Sequence, residues 1–434
     1  MWKRLRHLRM DVRPLRHRDF RLLMASGMVT MFGSFITIVA VPFQIKQLTG
    51  SYVAVGVVGV VELVPMVLSG LWGGAIADAA DRRKVVLWCE AGMAVCTGGL
   101  LVNALLPHPS VWPLYVVAGL VATLDGLQRP SLDAMLPRLV PRDEQTAANA
   151  MQGIRYQIGA VAGPAVGGVL VTVAGVPAAY AVDVLTFLAS IGFLALLRPL
   201  PPSEHAERPS LAGIARGARY AWSRPELLGT YFVDIAAMFL AMPMALFPFV
   251  ADALHARWAL GLLYSALPFG AMLISLTSGW ASRVHRHGLA VIIAAAAWGL
   301  AITGFGLAPN IGVALACLVL AGMADMVSGL FRSTIWNQTI PDHLRGRLAG
   351  IELLSYSIGP TAGQLRSGVM AGLVGLRPAI VAGGLLCTGA VAVASVIMPG
   401  FTRYDERTSP HSGPTGGAGA EEPGQEELER AAAP

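Results

Sequence analysis

The stretch that decides the fold, Gly73–Lys84, reads GGAIADAADRRK. It is a short polar segment between two apolar runs, Tyr52–Ala77 and Val85–Leu106. A helix needs about 20 consecutive apolar residues to cross a lipid bilayer, and each of these runs is long enough. A reversal between two such helices needs only a few polar residues, but this one contains two carboxylates and three cations. The stretch therefore predicts a membrane hairpin whose connecting loop does more than link two helices.

Composition indicates a membrane protein along the whole chain. The 434 residues are 55% apolar and only 13% charged, whereas a soluble domain has about 25% charged residues. A large soluble α/β protein would need polar faces on its surface helices, and the sequence does not provide them. The net charge of +6 is explained by membrane loops, so we expect no nucleic-acid partner. The four cysteines lie in apolar runs without CxxC spacing, so we expect neither a metal site nor a disulfide framework.

Twelve apolar runs follow one another, six on each side of a polar segment. The sequence therefore predicts an all-α membrane protein with twelve transmembrane helices in two six-helix bundles. The runs lie near residues 22–45, 52–77, 85–106, 112–136, 150–174 and 178–198, and then 226–252, 258–284, 288–308, 311–338, 350–374 and 377–399. The predicted units are a cytoplasmic basic arm at 1–21, an N-terminal bundle at 22–198, a cytoplasmic linker at 199–225, a C-terminal bundle at 226–400 and a disordered cytoplasmic tail at 401–434.

The cations predict the orientation of the chain in the membrane. Of the 32 Lys and Arg residues, 25 lie in segments on the same side as the N-terminus. Three lie on the other side (Lys46, Arg257 and Arg377), and four lie within predicted spans. Because cytoplasmic loops carry an excess of Lys and Arg, both termini and the linker are predicted to be cytoplasmic. We expect a multi-pass protein of the cytoplasmic membrane.

The two halves of the chain repeat each other at an offset of 200 residues. The coincidences are Asp125, Pro141, Tyr156, Ile158, Gly159, Ala162, Gly163 and Gly168 with Asp325, Pro341, Tyr356, Ile358, Gly359, Ala362, Gly363 and Gly368. Single glycine matches are common in apolar sequence, but a constant offset through several spans is hard to obtain by chance. Two similar bundles facing each other are typical of carriers that hold substrate near the membrane midplane. A duplicated scaffold or sensor that transports nothing is the alternative.

Several ionisable residues lie inside the predicted spans. Each costs about 2.5–3.5 kcal/mol on insertion scales and is a functional candidate by default. Asp125, Arg129 and Asp133 are spaced by four residues, so they share one face of the fourth helix. The predicted substrate or proton residues are Glu62, Asp125, Arg129, Asp234, Asp325 and Arg332.

Two structural alternatives apply to these charges. Asp125 and Arg129 could form a purely structural ion pair. Glu90, Asp183 and Glu352 lie nearer the ends of spans, so we expect them to be solvated or to cap helices.

The opening stretch resembles the signature loop of the major facilitator superfamily, Gly-x-x-x-Asp-Arg-x-Gly-Arg-Arg/Lys, between its second and third helices. The matching positions are Gly74, Asp78, Arg82 and Arg83. Ala79 stands where Arg is usual, and Asp81 stands where Gly is usual. The resemblance implies that this loop is a conformational gate, with Asp78 close to the eleventh helix near Gly350. It also implies that helices 1, 4, 7 and 10 line a central cavity.

The fifth span contains Gly-x-x-x-Gly-Pro-x-x-Gly-Gly, formed by Gly159, Gly163, Pro164, Gly167 and Gly168. Glycines spaced by four let helices approach closely, and ordinary close packing is one interpretation. The pattern also resembles the antiporter motif of drug-exporting members of the superfamily, which implies efflux rather than uptake.

Several further stretches resemble the branch of the superfamily that exports enterobactin, a catecholate siderophore. They include 41–51, 103–110, 263–271 and 338–350. The resemblance implies siderophore export, and export of macrolides or other drugs is the alternative within the superfamily.

Motifs of other membrane functions are missing from the sequence. No Gly-x-x-x-x-Gly-Lys nucleotide loop occurs, so export is expected to use an ion gradient, most simply protons, with no cofactor. No Gly-x-Ser-x-Gly or His-Glu-x-x-His occurs, and we expect no enzyme activity. We expect a monomer in the lipid bilayer whose partners are a small-molecule substrate and protons.

Overall fold

The computed structural model describes residues 11–200, 224–340 and 342–405, with side chains described except at 71–79, 225 and 342–356. Twelve long helices, one of them in two parts, fill most of the described chain. They are α1 (Arg18–Thr49), α2 (Tyr52–Ala79), α3 (Arg82–Leu105), α4 (Trp112–Leu139), α5 (Gln145–Val169), α6 (Val176–Ala195), α7a (Pro225–Ala241) with α7b (Phe247–Ala253), α8 (Leu260–Thr277), α9 (His287–Leu307), α10 (Ile311–Thr339), α11 (Asp342–Val374) and α12 (Leu376–Ile397).

Short turns connect or extend these helices. A turn of 3-10 helix, Met244–Leu246, separates α7a from α7b, and Pro243 immediately before it lacks the backbone N–H that a continuous helix would use. Gly175 and Gly375 precede α6 and α12 with φ angles of 85° and 91°, a region that residues with a side chain rarely adopt. These two glycines are 200 residues apart, so the sequence repeat extends to the turns between helices.

Within each half, the helices pack in the same pattern. In the first half α1 packs on α5 and α6, α2 on α4, and α3 on α4 and α6. In the second half α7a packs on α11 and α12, α8 on α10, and α9 on α10 and α12. Adding six to each helix number converts the first pattern into the second. The protein therefore has two pseudo-symmetric six-helix bundles, which is the major facilitator fold, as predicted from the sequence.

The two bundles meet through α2 with α11 and through α5 with α8. A Cβ added to Gly56 would lie 2.7 Å from the carbonyl oxygen of Gln364, so the backbones of α2 and α11 are in close contact there. α1 begins at the end of the first bundle where the N-terminus lies, and α2 runs back toward that end. The start of α2 therefore lies at the opposite end. These contacts hold the two bundles together at the end away from the N-terminus. This end of the molecule is the closed end.

Ten helical segments of the described chain are long and apolar enough to cross a membrane, judged by length and composition. The two remaining long helices are α4, which contains several charged side chains, and α11, whose first half lies among the residues without described side chains. The structure thus supplies a long helix at every one of the twelve predicted spans. The largest difference is α11, which begins at Asp342 rather than near residue 350.

Most of the predicted linker and tail lies outside the described residues. The exception is the start of the tail, where Pro399–Thr402 forms a helical turn. Phe401 in this turn is fully buried, and its ring lies against Gly229 and its carbonyl against Gly288. The prediction that disorder begins at Phe401 is therefore wrong for these first residues, because an aromatic side chain anchors them to α7a and α9.

Candidate functional site

The centre of the second bundle holds a group of three charged side chains. Arg332 of α10 forms an ion pair with Asp234 of α7a, and both side chains are buried. Asp325 lies on the same face of α10, with Oδ1 4.0 Å from Nη2 of Arg332. Although Asp325 is at the middle of α10, its side chain is 42% exposed. Asp234 is thus the closely held carboxylate, and Asp325 is the accessible one.

The charged face of α4 lies in the other bundle. Asp125, Arg129 and Asp133 are all exposed, and Asp125 is at the middle of its helix. Within the described residues no ion pair joins Asp125 to Arg129. Arg129 lies close enough to Asp133 to attract it electrostatically, whereas Asp125 lies near a second carboxylate, Glu90 of α3. The arrangement leaves the guanidinium of Arg129 accessible.

Tyr156 of α5 lies near both of these charged groups. Its side chain is 53% exposed and is close enough to interact electrostatically with both Arg129 and Asp325. Its ring packs edge-on against Phe35 of α1, with 5.9 Å between the ring centroids. An aromatic side chain with a phenol group therefore lies near a cation of its own bundle and a carboxylate of the other. Sequence reasoning did not assign Tyr156 to the site, although the repeat of Tyr156 and Tyr356 singled it out.

Glu62 is the remaining predicted candidate. It lies on α2, one turn after Gly59, whose surroundings include the backbone of α11 at Thr361. Its side chain is partly buried and makes no hydrogen bond or ion pair with another described residue. No hydrogen bond or ion pair within the described residues joins Glu62 to Arg129, Asp325 or Arg332, so its role stays a prediction.

The glycines of the fifth helix let it pack closely on α1. A Cβ added to Gly159 would lie 2.9 Å from the side chain of Met31, and one added to Gly163 would lie 3.1 Å from the Phe32 carbonyl. One added to Gly167 would lie 2.9 Å from the Cα atom of Ile36. A larger residue at any of these positions would separate the two helices.

The end of the same motif contacts the other bundle. Gly168 lies against the backbone of Gly261 at the start of α8, and the Pro164 carbonyl also faces Gly261. Two turns deeper, the hydroxyl of Ser265 donates to the carbonyl of Val161, at 2.7 Å. The motif therefore joins the two bundles at their closed end as well as packing α5 on α1.

A buried polar seam runs through the first bundle between α1, α3 and α6. Asp183 is 1% exposed and accepts hydrogen bonds from Thr37, at 2.5 Å, and from Thr97, at 3.5 Å. Glu90 is 4% exposed and accepts a hydrogen bond from Thr30, at 3.0 Å. The prediction that these carboxylates are solvated or cap helices is wrong, because hydroxyl donors on one face of α1 satisfy them inside the bundle.

The surroundings of Gly74 and the side chains of Asp78 and Glu352 lie outside the described set, so the predicted contact of Asp78 with α11 stays a prediction. Within the same loop, Asp81 accepts a hydrogen bond from the backbone of Arg83 and begins α3. Arg83 donates to the carbonyls of Leu194 and Ala195 at the end of α6.

Arg82 is buried, and it donates to the carbonyl of Ala134 in α4. Both loop arginines thus contact helices of their own bundle in this structure, where they fix the ends of α4 and α6.

The chain belongs to the transmembrane secretion effector family of the major facilitator superfamily, whose model matches residues 10–415. It is 30% identical over 377 residues to the enterobactin exporter EntS of Citrobacter koseri, covering 86% of this chain and 90% of that protein. It is also 30% identical over 337 residues to EntS of Escherichia coli O1:K1, covering 77% and 81% of the two chains. This family and fold are those of membrane transporters, not of enzymes.

Solved transporter structures have the same fold. A bacterial homologue of the human lysosomal transporter Spinster, in an inward-facing conformation, superposes with a TM-score of 0.73 at 15% identity, covering 90% of this chain and 99% of that one. A bacterial homologue of the iron transporter ferroportin gives 0.66 at 15% identity, covering 89% and 98%. At this level of identity the likeness concerns the fold alone.

Proposed function

We propose that this protein is a proton-driven exporter of a catecholate siderophore, which works by alternating access. The observation that carries the proposal is the group formed by Arg129, Tyr156 and Asp325, in which a cation, a phenol and an accessible carboxylate from both bundles lie near the middle of the molecule. The similarity to enterobactin exporters over most of the chain supports the substrate class.

The substrate chemistry follows from the accessible side chains. A catecholate ligand has flat aromatic rings and adjacent phenolic oxygens. Arg129 offers paired N–H donors and a planar cation, which fit two neighbouring oxygens better than a lysine would. The ring of Tyr156 offers an aromatic surface for offset or edge-on packing. Together they would hold the rim of a catecholate in the space between the bundles.

The proposed energy source is a proton gradient, with Asp325 as the proton carrier. Arg332 is already balanced by its close ion pair with Asp234. Asp325 is farther from that cation and is accessible at the middle of its helix. It can therefore gain and lose a proton without breaking the ion pair, and its charge can alternate with the binding of substrate.

The proposed orientation places both termini and the linker in the cytoplasm of the producing cell. The excess of Lys and Arg on the N-terminal side supports it. With this orientation, the closed end faces the exterior and the opposite end faces the cytoplasm. The location would then be the cytoplasmic membrane, where a siderophore made inside the cell must cross first.

An uptake assay in everted membrane vesicles tests the substrate. With an imposed proton gradient, vesicles containing this protein should accumulate a catecholate siderophore, and Arg129→Lys should weaken its apparent affinity about tenfold, equal to about 1.4 kcal/mol. Asp143→Asn, at an exposed position of the turn Arg142–Glu144, is the control and should leave uptake unchanged. Accumulation of a macrolide with no siderophore uptake would replace this proposal by drug efflux.

The α5–α8 contact yields a second expected result. Gly261→Val places extra atoms against the Pro164 and Ala165 backbone, where overpacking costs about 1–3 kcal/mol. If the closed end must form in every cycle, export should fall about five- to hundredfold. Gly99→Val in α3 is the control, since a Cβ there meets no atom within 4 Å. Equal export by both variants would show that the transport cycle does not need the α5–α8 contact.

A further inference from the structure

Lys46, near the end of α1, reaches across from the first bundle to the second. Its ammonium donates to the carbonyl of Pro248, at 2.7 Å, and pairs with the carboxylate of Asp252 at the end of α7b. The Lys46 side chain is only 14% exposed. A lysine removed from water to this extent needs a partner that offsets the lost hydration. Here both partners belong to the other bundle.

The surroundings make this contact specific. The Lys46 ammonium lies 5.3 Å from the centroid of the Phe249 ring. The same ring contacts Tyr52 of α2, with 4.3 Å between centroids. Asp252 also accepts from Arg257, at 2.7 Å from Nε, but this second pair lies within one bundle. The carboxylate of Asp252 thus has one partner in its own bundle, Arg257, and one in the other bundle, Lys46.

We infer that Lys46 and Asp252 form the gate of the closed end: the ion pair holds the two bundles together there and breaks each time that end opens. The inference rests on the proposed alternating access, because only a carrier that opens at both ends must break a contact between its bundles. It does not depend on which substrate is exported. Nothing in the motifs of the sequence marks either residue, and Lys46 was read only as a loop cation.

The gate differs from a static ion pair in its effect on the conformational balance. An ion pair that is made only when the end is closed adds its whole free energy to the closed state. Removing it should therefore shift the population toward the state that is open at this end. A static pair, made in both states, would change stability without changing the balance.

Accessibility of a single cysteine distinguishes these two cases. Ile158 of α5 is 47% exposed and lies three residues before Val161, which contacts α8 at the closed end. A protein with the reporter Ile158→Cys is prepared after the native Cys89, Cys96, Cys317 and Cys387 are replaced by alanine. The labelling rate with a membrane-impermeant maleimide is measured in intact cells and in everted vesicles, without substrate.

Lys46→Gln and Asp252→Asn should each raise labelling from outside about fivefold, which corresponds to about 1 kcal/mol, and lower labelling in everted vesicles. Lys46→Gln combined with Asp252→Asn should raise outside labelling no further than either change alone, because both changes remove the same ion pair. Arg257→Gln, the matched control, should have a smaller effect because Arg257 contacts Asp252 within one bundle.

Three results would overturn the inference. They are unchanged labelling in both single variants, a combined variant whose effect is the sum of the two single effects, and an effect of Arg257→Gln as large as that of Lys46→Gln. In the reporter protein with Lys46 and Asp252 unchanged, comparison of the labelling rates from the two sides of the membrane tests the proposed orientation separately. Slow labelling in everted vesicles and fast labelling in cells would show that the orientation is the opposite one. The effects of the Lys46 and Asp252 variants would still test the ion pair.

Discussion

Replacing Asp325 with asparagine is expected to stop net proton-driven export while leaving exchange of substrate across the membrane intact. Asparagine has a similar shape but cannot bind and release a proton, so the variant can no longer carry a proton inward as the substrate moves outward. We expect net uptake into everted vesicles to fall at least about tenfold, equal to about 1.4 kcal/mol. Exchange of labelled for unlabelled substrate should continue, because it requires movement of the loaded carrier alone.

The control for this experiment is a carboxylate outside the site. Asp143 lies in a turn at the N-terminal side, and its side chain is 70% exposed. Asp143→Asn should therefore retain both net uptake and exchange. Normal net uptake by Asp325→Asn would show that another group carries the proton, and loss of exchange as well would show that Asp325 is needed for substrate binding.

The second large effect is expected at Arg332, whose removal should destabilise the protein. Arg332→Leu takes away the cation that balances Asp234, whose side chain is 3% exposed. Breaking one partner of a buried ion pair costs about 3–5 kcal/mol. We expect a clear drop in the unfolding temperature of the purified protein in detergent, with a large loss of folded material.

The double variant decides the cause of this loss. Replacing both Arg332 and Asp234 by leucine removes the uncompensated charge, and such replacements are often neutral or stabilising. The double variant should therefore regain most of the stability but not the transport. Arg129→Leu, at an exposed position, should alter the unfolding temperature only slightly. A double variant as unstable as Arg332→Leu would mean that packing around Arg332, rather than charge, determines stability.

Much of the fold could be predicted from the sequence, because the bilayer restricts what a spanning segment can be. Apolar runs of sufficient length identified the twelve helices, and the offset of 200 residues identified the two bundles. The start of α11 was the largest error in position. Its first residues, Asp342–Gly350, include several polar side chains, which an apolar-run criterion excludes although they continue the helix.

The site was less accessible to sequence reasoning, because hydropathy does not show which helix face meets which neighbour. Asp183 was expected to be solvated from its position along the span, but the threonines of α1 and α3 hold it inside the bundle. Lys46 counted only as a loop cation, since nothing local indicated that the end of α1 would meet α7b of the other bundle. In contrast, Asp325 and Arg332 are seven residues apart, a spacing that places both side chains on one face of a helix, and the structure has them on one face of α10.

Purified protein in liposomes, with an inward or outward proton gradient and no nucleotide, tests the central claim most directly. Loaded with a catecholate siderophore, the liposomes should transport it against the proton flow, and a protonophore should stop net transport. Siderophore transport by the unsubstituted protein should drive proton movement in the opposite direction, and this proton movement should be lost in Asp325→Asn. Net siderophore transport against its own concentration gradient that persists after the proton gradient is collapsed, or that requires ATP, would contradict the account.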